Sequence, residues 1–207
     1  MKTAFLSALA LSATILVSQN AKTQDTKIAP TKVQDATIEE VGKSPVQAKF
    51  APGGRIRMDL CSGGIQLVGK DDGAVRVSYQ PDHDVKVRIR VLGDEADLKV
   101  TGCPSNNFKM TIEIPKSSGL DIRMFAGDLE ISGIAGDKDV RMHFGELRMD
   151  IGNAADCALV SASVSSGSLV VSPFNVSKGG LFRSFEQSGP GKYRVHAHIG
   201  AGDLQLR

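Results

Sequence analysis

Apolar and polar residues alternate along most of the chain after position 54. In the segment 55–60, apolar side chains fall on one side and charged side chains on the other, which is the two-residue period of a half-buried β-strand. The segments 85–91 and 108–114 show the same alternation, and Pro115 ends the second of them. Only 94–98 is compatible with a single helical turn. The pattern therefore predicts an all-β chain in which helix is nearly absent.

A short glycine-led motif recurs in the carboxy-terminal half, with leucine two positions after the glycine. The four copies contain Gly127 and Leu129, Gly145 and Leu147, Gly167 and Leu169, and Gly202 and Leu204. Looser copies begin at Gly64 and Gly119, and second strands are predicted at 139–142 and 193–195. We expect each glycine to supply a positive φ or a close backbone approach at a corner, and each leucine to point into a shared core.

One such unit cannot bury its own apolar face, whereas stacked units can. The predicted fold class is therefore all-β, either a single-stranded β-solenoid or a β-sandwich rolled from short glycine-cornered repeats. The stretch 172–190 interrupts the repeat and contains Phe182 and Phe185. These rings are candidates for an exposed aromatic pair, but we favour a segment that caps an open end of the stack.

The amino terminus has the three regions of a secretory signal peptide: a positive start, an apolar stretch and a short run of small polar residues. An uncleaved anchor is the alternative, although the stretch is shorter than the roughly 20 apolar residues that span a bilayer. We predict a signal peptide over 1–21, a flexible leader over 22–54 and a β-repeat domain over 55–207. Residues 37–50 of the leader are expected to hold a short extended piece. The mature protein is expected in the periplasm or outside the cell, without a membrane span.

Export would bring three cysteines into an oxidising compartment, where pairs within reach form disulfides. Cys61 and Cys103 both lie where a strand pattern gives way to turn residues. We favour a bridge between these two, with Cys157 buried and free. Three buried thiols that act as small apolar residues are the alternative. Their spacing does not match a zinc motif.

The charge balance does not favour nucleic acid as a partner. Lys and Arg number 25 against 23 for Asp and Glu, so the chain lacks the excess of basic residues typical of nucleic-acid binding. The stripe of Lys86, Arg88 and Arg90 is predicted to be a solvated strand face. His196 and His198 would share an outer strand face, but the neighbouring cations Arg194 and Lys192 disfavour a metal there.

Three carboxylates, Asp128, Glu146 and Asp203, each follow a corner glycine. Stacking would align them as an acidic ladder that offers oxygen ligands to calcium, although we favour simple support of the turns. The sequence lacks a nucleophile elbow and a phosphate-binding loop. We therefore expect neither a catalytic residue set nor a cofactor.

The succession of these copies resembles the putative-adhesin family of bacterial exported β-strand-repeat proteins. The matching segments are 118–122, 127–131, 145–147, 166–169 and 202–206, and 191–195 is similar to the family's penultimate strand. The resemblance covers 55–207 and is strongest from Gly119 onward. It implies a β-solenoid-like domain at or outside the cell envelope, in a family that has no catalytic motif.

These observations predict a non-enzymatic binding or scaffolding module whose partner is an unidentified envelope or extracellular protein or glycan. Self-association through the ends of the solenoid is a further hypothesis, because open ends are unpaired strand edges. The alternative is a β-helix enzyme that acts on envelope or extracellular polysaccharide, with Asp128 and Glu146 as its acid groups.

Overall fold

The computed structural model describes residues 35–81 and 84–207. The predicted signal peptide and the first part of the predicted leader lie outside these residues. Two single-turn 3-10 helices, Ala154–Asp156 and Ser172–Phe174, interrupt a chain that is otherwise mostly strand. The strands are β1 Ala36–Val41, β2 Val46–Lys49, β3 Arg55–Leu60, β4 Gly63–Lys70, β5 Ala74–Gln80, β6 Lys86–Leu92, β7 Glu95–Thr101, β8 Lys109–Pro115, β9 Gly119–Ser132, β10 Lys138–Met149, β11 Cys157–Val171, β12 Val176–Ser188 and β13 Tyr193–Leu206. The all-β prediction is confirmed.

Five parallel rungs form the centre of the fold. The first rung consists of β3 followed by β4, and the others are the long strands β9, β10, β13 and β11. The first half of β9 pairs with β3 and its second half pairs with β4. The predicted second strands at 139–142 and 193–195 are therefore not separate elements, because each forms the first half of a long strand that continues through the glycine motif.

The spatial order of the rungs differs from their order in the chain. The sheet runs β1-β6-β7-β3-β9-β10-β13-β11-β12, so the last strand of the chain lies between β10 and β11. On the other half of the rungs, β4 pairs with β8, β8 with β5 and β5 with β2. The sheet is open, because β1 and β12 at its two ends do not pair with each other.

The corner glycines form a continuous ladder across the rungs. Gly63, Gly127, Gly145, Gly202 and Gly167 are successive neighbours in register, and each has a positive φ between 119° and 153°. A Cβ atom on Gly145 would lie 1.9 Å from the carbonyl oxygen of Gly127, a distance that no side chain tolerates. Glycine is therefore required at this corner for both its φ and the close backbone approach.

The predicted corner positions were wrong for the two looser copies of the motif. The ladder of the first rung contains Gly63, and Gly64 is its outward neighbour next to Asp128. Gly119 does not lie at a corner, because it begins β9 and pairs with Arg55 at the far end of the rung.

The motif leucines lie in the core. Leu129, Leu147, Leu169 and Leu204 are each at most 1% exposed and belong to one hydrophobic cluster. Buried positions alternate on both sides of each corner, but the last one before the glycine and the first one after it are five residues apart, as in Met142 and Leu147. The alternation therefore changes phase at the glycine, which lets both halves of a rung bury their inner side in the same core.

Two predictions about local structure were wrong. The flexible leader does not extend to residue 54, because β1 pairs with β6 and β2 pairs with β5, and Phe50 is buried. Only the short extended piece expected at 37–50 anticipated this. The helical turn considered at 94–98 does not form, because residue 94 lies in a turn and residues 95–98 belong to β7, where residues 96, 98 and 100 alternate into the core.

The cysteines occupy two different environments. Cys61 lies between β3 and β4 and forms a disulfide with Cys103, which follows β7, with their Cα atoms 6.2 Å apart. Cys157 is buried and free. Burial raises the pKa of the Cys157 thiol, and the nearby Lys138 opposes this shift. Lys138 is itself buried and donates to the carbonyl oxygen of Gly136 at 3.2 Å, and desolvation lowers the pKa of its ammonium group.

Candidate functional site

Three exposed rings cluster on the outside of the corner formed by β9 and β10. The ring centroid of Phe125 lies 5.4 Å from that of His143 and 5.6 Å from that of Phe144. Phe125 is 61% exposed and Phe144 is 51% exposed. We call these three residues the aromatic apex. A cluster of apolar rings left in water on a well-packed corner is typical of a binding surface.

The aromatic apex is a feature that the sequence analysis missed. Phe125 and Phe144 come two and one positions before the corner glycines Gly127 and Gly145. The phase change at the corner takes both rings out of the buried alternation. A signal existed, because both copies carry an aromatic residue just before the motif, but only the pairing of β9 with β10 brings the rings together.

A depression of about 400 Å³, lined by both polar and apolar atoms, lies on the outer face of the second halves of the rungs. Gly64 stands between Lys109 of β8 and Asp128 of β9 in adjacent register positions. The next outward row brings Thr111 and Gln66 together. These five residues are called the polar notch. Lys109 and Asp128 form no ion pair or side-chain hydrogen bond within the described part of the chain.

The acidic residues around the polar notch are mostly paired. The Glu146 carboxylate lies 2.5 Å from the Arg148 guanidinium, and Glu130 lies 2.9 Å from Arg207. Farther along the row, Asp203 accepts a hydrogen bond from the Ser168 hydroxyl at 2.5 Å.

The three carboxylates that were considered as an acidic ladder lie in one row across neighbouring strands. Glu146 is the register neighbour of both Asp128 and Asp203. Within residues 35–81 and 84–207, no group of three or more His, Cys, Asp or Glu side chains has a geometry that could hold a metal ion. Asp128 and Glu146 project from neighbouring strands on one open face. A glycosidase instead needs two carboxyl groups that flank the scissile bond, so this geometry does not favour the enzyme alternative.

The histidines of β10 and β13 form a second polar cluster. His196 and His198 lie on the outward side of β13, as the sequence predicted, while Val195 and Ala197 point into the core. The His198 ring nitrogen Nδ1 lies 2.9 Å from the Ser163 hydroxyl. Desolvation is the largest cause that lowers the pKa of His198, followed by the nearby His196, Arg141 and His143. These neighbours disfavour a further positive charge at this position.

The segment with Phe182 and Phe185 is a strand, β12, and not a loop. It pairs antiparallel with β11 at one end of the sheet. Phe185 packs against Phe174, with ring centroids 5.1 Å apart, and borders the core, whereas Phe182 is 83% exposed. The two rings are therefore not an exposed pair.

The predicted basic stripe is a solvated face. Lys86, Arg88 and Arg90 are exposed on β6, and Lys86 lies 2.6 Å from the Glu39 carboxylate of β1. Asp97 of β7 is the register neighbour of Arg90. Charges of both signs therefore alternate across this surface, which does not present a continuous basic patch.

No family model and no curated protein match the chain. A solved structure described as a putative cell adhesion protein, from Clostridium sporogenes ATCC 15579, aligns over 84% of this chain and 100% of its own, with 12% sequence identity and a TM-score of 0.49. A putative adhesin from Bacteroides fragilis NCTC 9343 aligns over 84% of this chain and 99% of its own, with 12% identity and a TM-score of 0.36. Among the residues that the structure describes, no helix has the length and apolar character needed to cross a bilayer.

Proposed function

We propose that the protein is an exported, non-enzymatic binding or scaffolding module of the adhesin type, located at the cell envelope or outside the cell. The fold type that we propose is a short β-solenoid, supported by five parallel rungs that share one corner ladder. The signal-peptide pattern supports export.

The aromatic apex carries this proposal. Burying a Phe side chain contributes about 1.5–3 kcal/mol, yet Phe125 and Phe144 remain in water next to each other. Both belong to strands that are paired on both sides, so the rings are held on a rigid surface. A partner that covers them would gain this burial energy with little ordering cost on the protein side.

The proposal is tested by retention of the mature protein on isolated envelope and glycan fractions. The double variant Phe125→Ala/Phe144→Ala should weaken retention about tenfold, since a lost aromatic contact is worth roughly 0.5–1.5 kcal/mol beyond its area. The control is Leu181→Ala/Phe182→Ala, which removes two exposed apolar side chains from β12 instead and should leave retention unchanged.

Release of reducing ends from the glycan fraction would overturn the non-enzymatic assignment. Equal retention of the apex variant and the parent would show that the partner binds elsewhere on the surface.

A further inference from the structure

We propose that the polar notch binds a neutral, hydroxyl-rich sugar unit of a glycan. This inference deepens the proposed function, since it assigns a ligand class to the binding module and places it on the outer face of β8, β4 and β9. The notch contains Gly64, Gln66, Lys109, Thr111 and Asp128.

Gly64 forms the floor of the notch, which is open because this residue has no side chain. Gly64 has Lys109 on one side and Asp128 on the other in the same row. Two strand spacings separate the Cα atoms of these charged residues, a distance of about 10 Å. The two side chains form no ion pair within the described part of the chain, and the backbone of Gly64 is partly exposed between them.

The backbone does not require glycine at position 64. Gly64 is not among the residues with positive φ, and a Cβ atom built on it would meet nothing closer than the Phe108 carbonyl oxygen at 3.7 Å. This is an ordinary van der Waals contact. Gly145, by contrast, would meet backbone at 1.9 Å. Backbone geometry at the corner therefore requires glycine at position 145. It does not require glycine at position 64, where the missing side chain leaves the floor of the notch open.

The charges around the notch favour a neutral ligand. Glu146 and Glu130 are paired with arginines, which leaves one ammonium group at Lys109 and one carboxylate at Asp128. Their charges cancel, so the notch lacks the net charge that would select an ion, and such exposed charges gain little from ion pairing alone.

The same residues provide a mixed hydrogen-bonding set. Lys109 donates, Asp128 accepts, and the amide of Gln66 and the hydroxyl of Thr111 do both. A sugar hydroxyl both donates and accepts a hydrogen bond. Several hydroxyl groups on one ring can therefore bond to both sides of the notch at once, and their binding should depend little on salt.

The test uses the mature parent protein on an array of neutral and acidic oligosaccharides, followed by calorimetric titration with the best neutral oligosaccharide at low and high salt. Gly64→Val should weaken its affinity at least tenfold, because the added side chain fills the floor of the notch. Gly179→Val is the matched control, since Gly179 also lacks a positive φ and a Cβ there would meet nothing within 4 Å. Asp128→Asn should weaken binding severalfold. Thermal melting of each variant shows that it is folded.

The proposal is overturned if no neutral oligosaccharide binds the folded parent, if Gly64→Val binds as tightly as Gly179→Val, or if only charged probes bind and salt abolishes their binding. Envelope retention without binding of any neutral oligosaccharide would refute the sugar notch and leave the binding module intact. If the protein is neither retained on envelope fractions nor able to bind a neutral oligosaccharide, the proposed function is refuted as well.

Discussion

At the scale of single residues, the corner glycines are constrained both by φ and by the neighbouring rung. Gly145 has φ 119° and lies against the backbone of Gly127. Gly145→Ala should therefore lower the free energy of unfolding by at least about 2 kcal/mol, because an unfavourable φ costs roughly 1–3 kcal/mol and the clash adds to it. Denaturant unfolding measures this change.

The comparison for this variant is Gly179→Ala on β12. A Cβ atom added to Gly179 would meet no other atom within 4 Å, and the residue has no positive φ, so this variant should be as stable as the parent or slightly more stable. Similar effects of the two substitutions would contradict the role assigned to the corner ladder.

The motif leucines give a second prediction at the residue scale. Leu147 is fully buried, and Leu147→Ala should cost about 2–5 kcal/mol because it leaves a cavity in the shared core. Leu181→Ala, at a position 63% exposed on β12, should change stability by no more than about 0.5 kcal/mol. If Leu147→Ala melts like the parent, the stacked-repeat interpretation fails.

At the scale of the strands, the pairing of β13 with β10 and β11 creates a pH dependence. The lowered pKa of His198 means that the unfolded chain takes up a proton at this position more readily than the folded protein. The contribution of neutral His198 to the free energy of unfolding is therefore fully present above about pH 6.5. It is lost as the pH falls through the lower pKa of the folded state.

We accordingly expect the parent to lose more unfolding free energy between pH 7.5 and pH 5 than His198→Asn does. Urea unfolding of both proteins at the two pH values measures the difference, and protonation of all other groups largely cancels in this comparison. A parent and variant with the same pH dependence would show that burial and the neighbours of His198 do not affect its titration.

At the scale of the whole molecule, the long edge strand β12 presents unpaired backbone groups to solvent, but its inward residues oppose self-pairing. Lys178 lies opposite Leu169 and Arg183 lies opposite Val164, so the two cations stand two residues before and three residues after Gly180. A two-fold antiparallel pairing of two β12 strands that sets Gly180 opposite Leu181 of the second copy would place Lys178 against Arg183 of that copy, twice. Like charges in directly opposite positions destabilise a strand pair.

The double variant Lys178→Val/Arg183→Val should therefore self-associate in a concentration-dependent way, as measured by size-exclusion chromatography with light scattering. The control is Arg88→Val/Arg90→Val, which removes two cations from β6, a strand with neighbours on both sides. A monomeric β12 variant would show that these charges do not protect the edge. The hypothesis that the protein self-associates through the ends of the stack concerns this same edge strand, β12.

The sequence predicted the features that depend on neighbouring residues in the chain. Two-residue alternation identified β3 with its observed bounds and β6 and β8 within one residue. The glycine and leucine pairs identified the corners and their core positions, because both requirements act within a few residues. β1 was missed because its alternation is short and weak, and its strand form is stabilised by pairing with β6. β7 was missed although its residues alternate strictly, because its first residues were interpreted as a possible helical turn.

Strand period and backbone φ are local properties, so the amino-acid sequence was sufficient to predict an all-β chain with glycine corners and leucines in the core. The position of β13 between β10 and β11 and the placement of Gly64 between Lys109 and Asp128 could be learned only from the folded protein. The same holds for the contact of Phe125 with Phe144. Each of these depends on the register between strands far apart in the chain, which follows from burial of the shared core and not from any local pattern.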